Sequence, residues 1–156
     1  PRAPYETRPG SHRETDPRVP ESQSAPVGLF AGTQSYGTVF ANRRFLYIVG
    51  LPRAEALGEG TARLSLSLPR HFTNSLGTAH GGVILSLLDV ALCTAARTLH
   101  PDSTGVITID LSTSFIGGGR GDKLVAEARV LKHTRNLTIV EGEAKNADRP
   151  PVAKAP

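Results

Sequence analysis

The chain has 156 residues, of which 38% are hydrophobic, and this length is enough to bury the core of one ordinary domain. Its formal net charge of +4 and its 5% of aromatic residues do not favour a nucleic-acid partner. Its single cysteine excludes an internal disulfide and is typical of a protein in a reducing compartment, so we expect a cytoplasmic protein.

Residues 1–27 differ in composition from the rest of the chain. They contain six of the twelve prolines, four arginines and four acidic residues, with hardly any apolar residues. This composition predicts a disordered N-terminal arm or a cloning remnant, followed by one domain over 28–156. The arm lacks the apolar core of a signal peptide, and its acidic residues are unlike a mitochondrial transit peptide. Apolar residues return over 27–51, where we expect a short helix followed by a strand.

The segment 60–68 alternates between apolar and polar residues. Its apolar positions fall on one face of a strand, and the proline that follows ends the pattern. We therefore predict a half-buried strand. The residues that carry the pattern are Ala62, Leu64, Leu66, Leu68 and Pro69.

The next segment, 82–99, is apolar around most of a helical circumference. It is interrupted by Ser86, Asp89, Thr94 and Arg97, and it falls short of the about 18 uninterrupted apolar residues that a membrane span needs. We predict a buried central helix with a thin polar edge.

Three β-rich segments follow the helix, at 106–116, 123–133 and 137–144. The short connections between them favour antiparallel neighbours. Residues 151–155 are expected only to begin a last strand before the chain ends at Pro156. One long helix and a run of antiparallel strands predict an α+β fold, in which a curved sheet wraps around the helix.

Asp89 is unusual because it lies on the apolar helix without a basic residue three or four positions away. It could simply face solvent or pair with an arginine from elsewhere in the fold, and it could also be a functional carboxylate. Cys93, one turn further on, is interpreted as a small core residue and not as a nucleophile.

The helix is preceded by His80, Gly81 and Gly82. Glycine allows a ligand to approach the backbone, and the first N–H groups of a helix have no partner within it. Together with the helix dipole they form a site for an anion or a developing oxyanion. Glycines are also ordinary in a turn or at an N-cap, so this feature alone is weak evidence.

The spacing of Asn74, the His80-Gly81-Gly82 triplet and Asp89 resembles the motif of the hotdog-fold acyl-CoA thioesterases. The chain is most similar to the branch of the phenylacetic-acid-pathway thioesterases and thioesterase superfamily member 2, over roughly residues 40–155. The resemblance implies the hotdog fold and hydrolysis of an acyl-CoA to a free acid and coenzyme A. It also implies a substrate site between two subunits, in a homodimer or a dimer of dimers.

The resemblance also implies roles for individual residues. The Gly81 N–H polarises the thioester carbonyl, and Asp89 acts as nucleophile or general base. Asn74 orients the carbonyl or the attacking water, although an asparagine in a turn is the ordinary alternative. His80 shapes the turn. Thr108 stands where mammalian-type members have a serine from the neighbouring subunit that positions water, and it could equally be an ordinary strand residue.

Further positions are implied for substrate binding. These are Gly82, in the triplet, and three residues near the nucleotide end of coenzyme A: Lys132, Arg135 and Asn136. The sequence departs from the family at Thr134, where a glycine is usual, and at 118–119, where two glycines replace a proline-alanine pair.

The reaction needs no cofactor beyond the coenzyme A of the substrate. The five histidines and one cysteine show no metal-ligand spacing, so no metal site is expected.

Two other functions are compatible with parts of the pattern. A non-catalytic acyl-CoA-binding hotdog module, with a sensing or regulatory role, would keep the glycine turn but would not need Asp89. A hotdog enoyl-CoA hydratase would need an aspartate and a histidine together on the helix, and no histidine follows Asp89 there. The presence of Asp89 favours the thioesterase.

Overall fold

The computed structural model describes residues 52–100, 105–147 and 150–156. The predicted arm at 1–27, and the helix and strand expected over 27–51, lie outside the described residues. The boundary of the predicted domain at residue 28 therefore stays a prediction.

The described residues form one six-stranded antiparallel sheet and one long helix. The strands are ordered β1-β2-β4-β5-β6-β3 across the sheet, so β3 lies at one edge and β1 at the other. The predicted α+β architecture with a sheet around one helix is thus confirmed. The elements are β1 (Arg53–Gly58), β2 (Thr61–Ser67), a 3-10 turn (Arg70–Phe72), α1 (Gly81–Thr98), β3 (Ser114–Phe115), β4 (Lys123–His133), β5 (Thr138–Asn146) and β6 (Pro151–Ala155).

The alternating segment forms β2, as predicted, and its apolar face is the core face of the sheet. Leu64 is fully buried, and it pairs in register with the equally buried Ala126 of β4. Burying one such leucine stabilises the fold by about 1.5–3 kcal/mol. The small residues of β4 and β5 allow α1 to approach the sheet closely. Gly142 of β5 shows this, because an added Cβ would lie 3.1 Å from Leu92 of the helix.

Helix α1 is long and apolar enough to cross a membrane by length and composition. In the structure it instead packs against β2, β4 and β5, with Leu87, Leu88 and Ala91 almost completely buried. The predicted buried central helix is confirmed. A partly exposed stripe remains on its other side, where Leu85, Asp89 and Cys93 follow one another at intervals of four residues.

The predicted strand at 106–116 is wrong for most of its length. Only Ser114–Phe115 forms a strand, which pairs with β6, and residues 106–113 pair with no strand in the described part of the chain. Because β3 is the edge strand, this segment has no further neighbour among the described strands. Ile107 and Ile109 are consequently 89% and 80% exposed.

Two other strands differ from the sequence analysis. Strand β6 spans Pro151–Ala155 and lies between β5 and β3, although the sequence was expected only to begin it. Strand β1 was missed. A register shift between Ala54 and Ala56 disrupts its pairing with β2, and this irregularity breaks the two-residue period by which a strand is recognised.

Ion pairs connect the strands across the outer face of the sheet. Glu55 of β1 accepts hydrogen bonds from Arg63 at 2.9 Å and from Lys123 at 2.8 Å. The bond from Lys123, followed by that from Arg63, lowers the pKa of Glu55 from 4.5 to about 2. Further pairs continue the pattern between neighbouring strands: Arg63–Glu127, Lys145–Glu127, Arg129–Glu141 and Lys154–Glu143.

A Glu55→Gln variant is expected to be less stable than the wild type by about 1 kcal/mol at pH 7, since the two bonded cations lose their carboxylate at a partly exposed site. The pKa of Glu55 is lowered on folding, so its contribution is complete above pH 4.5 and is lost as the pH falls towards 2. Urea unfolding at several pH values measures this. Glu59→Gln, in the exposed β1–β2 turn, is the matched control. A difference that does not change with pH would contradict the prediction.

Candidate active site

The entry of helix α1 is organised by His80, its N-cap residue. The His80 ring accepts a hydrogen bond at Nδ1 from the Gly82 N–H at 3.3 Å. Its carbonyl oxygen accepts from Val83 N at 2.9 Å and from Ile84 N at 3.2 Å. The imidazole therefore closes the turn through a nitrogen that must be unprotonated to accept. This geometry agrees with the supporting role expected for His80, and it uses the Gly82 N–H within the turn.

The Gly81 N–H is different from its neighbours. Among the described residues it has no hydrogen-bond acceptor, whereas the N–H groups of Gly82, Val83 and Ile84 are all bonded to His80. It lies in the first turn of the helix, where the dipole favours a negative charge. A Cβ on Gly81 would lie 3.5 Å from the Phe115 ring, so the backbone here is beside an aromatic surface. The donor is available to an external carbonyl oxygen.

Asn74 lies in the loop that leads into the helix. Its Oδ1 accepts from Leu76 N at 2.9 Å and from Thr78 N at 3.2 Å, and its Nδ2 donates to Thr78 Oγ1 at 2.9 Å. This is the geometry of a turn asparagine. One of the two Nδ2 protons is not used by these bonds. Asn74 thus shapes the loop at the helix entry, and its remaining N–H is the group that could meet a substrate.

The glycine-rich loop at 117–121 packs directly on the same entry. The Ala79 N–H donates to the Gly119 carbonyl oxygen at 2.7 Å. A Cβ on Gly119 would lie only 2.8 Å from the Ala79 Cβ and 3.1 Å from Leu124 Cδ2. Position 119 therefore has no room for a side chain, and the glycine that stands here in place of the family's alanine fits this close contact.

A Gly119→Ala variant is expected to lose about 1–3 kcal/mol of stability, because the added methyl group must displace Ala79 or Leu124. Thermal or urea unfolding measures the loss. Gly105→Ala is the control, since an added Cβ there meets nothing within 4 Å. Equal stability of the two variants would show that the loop accommodates the methyl group.

The Asp89 carboxylate lies in the middle of α1 and accepts a hydrogen bond at Oδ1 from Thr108 Oγ1 at 2.6 Å. Both residues belong to the same chain, whereas the resemblance implied a hydroxyl from a neighbouring subunit. No described ion pair involves Asp89, so the pairing with an arginine is not seen in the part of the chain that the structure covers. The carboxylate is held by a neutral donor and is partly exposed.

Cys93 lies beside this pair, with its Sγ 3.2 Å from Thr108 Oγ1. The interpretation as a core residue is wrong, because the side chain is partly exposed and is not among the core residues. Burial is the main cause that raises the pKa of the Cys93 thiol. The sequence contained one indication that Cys93 lies near Asp89: the two residues are one helical turn apart, so their side chains lie on the same face of α1.

Lys132, Arg135 and Asn136 lie elsewhere. They are exposed at the end of the β4–β5 hairpin. His133 of the same hairpin packs edge-on against His100, just beyond the carboxyl end of α1, with ring centroids 4.4 Å apart. The 18-residue helix is about 26 Å long, so this hairpin and Gly81 lie at opposite ends of it.

The helix also separates the two central groups of the site. Gly81 and Asp89 are eight positions apart, which corresponds to about 12 Å along the axis. The structure thus brings Asn74, His80, Gly81 and Gly82 together at the helix entry, and it brings Asp89 and Thr108 together two turns further on. A single thioester group cannot contact Gly81 and Asp89 of the same chain at hydrogen-bond distance.

An antiparallel sheet wrapped around one long helix is the architecture of a hotdog-type domain, and here the helix entry has an N–H without an acceptor among the described residues and the helix middle has a carboxylate. A family model described as the thioesterase superfamily matches residues 76–153, half of the chain. The chain therefore belongs to the thioesterase superfamily, a class of hydrolases that cleave thioesters. The resemblance drawn from the Asn74, His80-Gly81-Gly82 and Asp89 motif is confirmed at the level of the family and the fold.

Individual proteins agree with this assignment. A protein of Saccharolobus solfataricus described as a predicted esterase is 31% identical over 99 residues, which cover 64% of this chain and 70% of that protein. The Escherichia coli PaaI protein, from the phenylacetic acid degradation operon, shares the fold with a TM-score of 0.70 and 20% identity, covering 78% of this chain and 86% of that chain. A Bacillus halodurans protein solved with CoA has a TM-score of 0.61 and 24% identity, covering 66% of this chain and 68% of that one.

Proposed function

We propose that this protein hydrolyses an acyl-CoA thioester to a free carboxylic acid and coenzyme A. The observation that carries the proposal is the Gly81 N–H, which lies at the positive end of α1 and has no acceptor among the described residues. Acyl transfer requires such a donor for the oxygen on which negative charge develops. Superfamily membership supports thioester hydrolysis in general, and the acyl-CoA substrate is our proposal.

In the proposed reaction the thioester oxygen accepts a hydrogen bond from the Gly81 N–H, which makes the carbonyl carbon more electrophilic. Asp89 then acts in one of two ways. As a general base it takes a proton from water, the resulting hydroxide adds to the carbonyl carbon, and the C–S bond breaks. As a nucleophile it forms a mixed anhydride with the acyl group, which water then hydrolyses. In both cases the departing thiolate takes up a proton and leaves as coenzyme A.

We propose that the complete site forms between two copies of the chain, with Gly81 from one and Asp89 from the other. The separation of about 12 Å along one helix supports this arrangement, because each chain presents only half of the required groups to one thioester. The edge strand β3 and the exposed Ile107 and Ile109 offer an apolar edge that no other described strand covers, and a second copy can pair on it. The assembly is thus a homodimer or a tetramer built from it.

The phosphates of coenzyme A need cationic partners. We propose that Lys132 and Arg135 of the exposed β4–β5 hairpin supply them, and that the Asn136 amide adds a neutral hydrogen-bond donor. Support comes from the position of this hairpin at the solvent-exposed end of the sheet, and from the Bacillus halodurans protein of the same fold that was solved with CoA. In a two-chain site, the hairpin that contacts a given substrate need not come from the chain that contributes Gly81.

The test is a thiol-release screen, in which free coenzyme A is measured for short, long and aromatic acyl-CoAs. We expect release from at least one of them, with a clear preference that identifies the acyl group. The control is the same panel with a heat-inactivated sample. If the protein binds acyl-CoA by calorimetry but releases no thiol from any member of the panel, it is the non-catalytic module and the proposal is wrong.

A further inference from the structure

Asp89, Cys93 and Thr108 form a row of side chains between α1 and the segment 105–113. Thr108 Oγ1 lies 2.6 Å from Asp89 Oδ1 and 3.2 Å from Cys93 Sγ. Residues four apart lie on the same face of a helix, which is why Asp89 and Cys93 reach the same hydroxyl group. The proposed reaction uses the Asp89 carboxylate, and it leaves the Thr108 hydroxyl and the Cys93 thiol without a role.

The protons of the row can be assigned from its chemistry. A threonine hydroxyl has one proton, and an ionised carboxylate can only accept. The bond to Asp89 therefore uses the hydroxyl proton, and the contact with sulfur requires the Cys93 S–H to donate to Thr108 Oγ1. Burial, the largest influence, raises the pKa of the Cys93 thiol. The Thr108 hydroxyl would lower this pKa by donating to the sulfur, but its proton is used at Asp89, and the Asp89 charge raises the pKa further. The thiol thus keeps its proton.

We propose that Cys93 is a positioning residue for Asp89 and acts through Thr108. The proposal rests on the proposed function, in which Asp89 is the reacting carboxylate. The thiol proton occupies one lone pair of Thr108 Oγ1, so the hydroxyl proton points to Asp89 and the carboxylate is held in one orientation.

The surroundings of Thr108 explain why such a contact is needed. Residues 106–113 pair with no strand in the described part of the chain, and Ile107 and Ile109 on either side of Thr108 are exposed. Among the described strands, no ladder of backbone bonds therefore holds Thr108 in place. Its two contacts with α1 fix its position relative to Asp89.

The first arm of the test compares Cys93→Ala with Cys93→Ser in the thiol-release assay. The alanine variant lacks the donor, and we expect kcat to fall about three- to tenfold with KM unchanged, the effect of one modest hydrogen bond. Serine restores an O–H donor, so we expect kcat to return to within about twofold of the wild type. Equal kcat values in all three proteins, or equal losses in both variants, would overturn the proposal. A cysteine that acted only by packing would not make the serine variant more active than the alanine variant.

The second arm does not depend on activity. Cys93 is the one cysteine of the chain, so the S–H stretching band in a Raman spectrum reports on this thiol alone. We expect a hydrogen-bonded band in the wild type and a shift to higher frequency in Thr108→Val, which removes the acceptor at nearly constant volume. An unshifted band would overturn the proposal. If the band shifts but the wild type hydrolyses no acyl-CoA, the proposed function has failed and the hydrogen-bonded row has not.

Discussion

An Asp89→Asn variant is expected to lose about 10²–10⁴-fold in kcat on the preferred acyl-CoA, the range for removal of a general base. Asparagine has nearly the same shape and still accepts the hydrogen bond from Thr108 Oγ1, which lies at 2.6 Å in the wild type. It can neither take a proton from water nor form an anhydride. The loss therefore reports on the charge and basicity of the carboxylate and not on packing. Steady-state thiol release, with KM measured in parallel, gives the value.

The control for this variant is Glu59→Gln, which removes a carboxylate in the same way from an exposed turn between β1 and β2. It should keep wild-type kcat. Both variants should unfold at temperatures close to that of the wild type, because Asp89 is partly exposed and forms none of the described ion pairs. Near-wild-type turnover in Asp89→Asn would show that another group performs the chemistry.

Gly81→Pro is expected to lower kcat about 10²–10³-fold, the usual cost of removing one oxyanion donor. Proline removes the N–H without breaking the helix, because Gly81 is the first helical position, where proline is favoured. The preceding His80 already has φ −61° and ψ 136°, the extended conformation that a following proline requires. The variant thus removes one N–H donor and leaves the backbone conformation at the start of α1 unchanged.

The matched control is Gly81→Ala, which adds a Cβ but keeps the N–H. This Cβ would lie 3.5 Å from the Phe115 ring, an ordinary contact, so we expect kcat within a few-fold of the wild type. Equal losses in the alanine and proline variants would assign the effect to the added carbon. In that case the Gly81 N–H would not be the donor to the thioester.

The same two variants test the two-chain site. When unfolded Gly81→Pro and Asp89→Asn chains are mixed and refolded together, about half of the random dimers are mixed, and in each of these one site has both defects and the other has none. We therefore expect recovery to about a quarter of the wild-type activity. If both groups acted from one chain, every site would carry one defect and the mixture would stay inactive. Each variant refolded alone is the control.

Most of the fold could be predicted from local patterns. The alternation in β2, the all-round apolar helix and the β-branched segments at β4 and β5 each reflect a period that the sequence displays directly. The predictions failed for segments that lack such a period or lack a neighbouring strand. A register shift hides β1, and residues 106–113 have the composition of a strand but no neighbouring strand in the described structure. Strand formation requires a partner, which composition does not report.

The candidate site likewise has a part that local sequence indicates and a part that depends on contacts between residues remote in the chain. The residues at the helix entry are contiguous or nearly so in the chain, and the structure keeps them together at the start of α1. Cys93 was misinterpreted because its neighbour across space, Thr108, is 15 positions away in the chain. Gly119 likewise has no room for a side chain because Ala79 and Leu124 lie against it, and Ala79 is too far away in the chain for a local pattern to show the contact.

The sequence by itself determined the α+β class, the central helix and the resemblance to the thioesterases, because these depend on residue periods and on a motif confined to residues 74–89. Only the tertiary structure decided that the Gly81 N–H has no acceptor among the described residues while its neighbours are bonded, and that Thr108 contacts both Asp89 and Cys93. It also placed Gly81, Asp89 and the β4–β5 hairpin at different levels along the axis of α1. The physical reason is that hydrogen-bond partners and distances between elements arise from packing, which brings together residues that are remote in the chain.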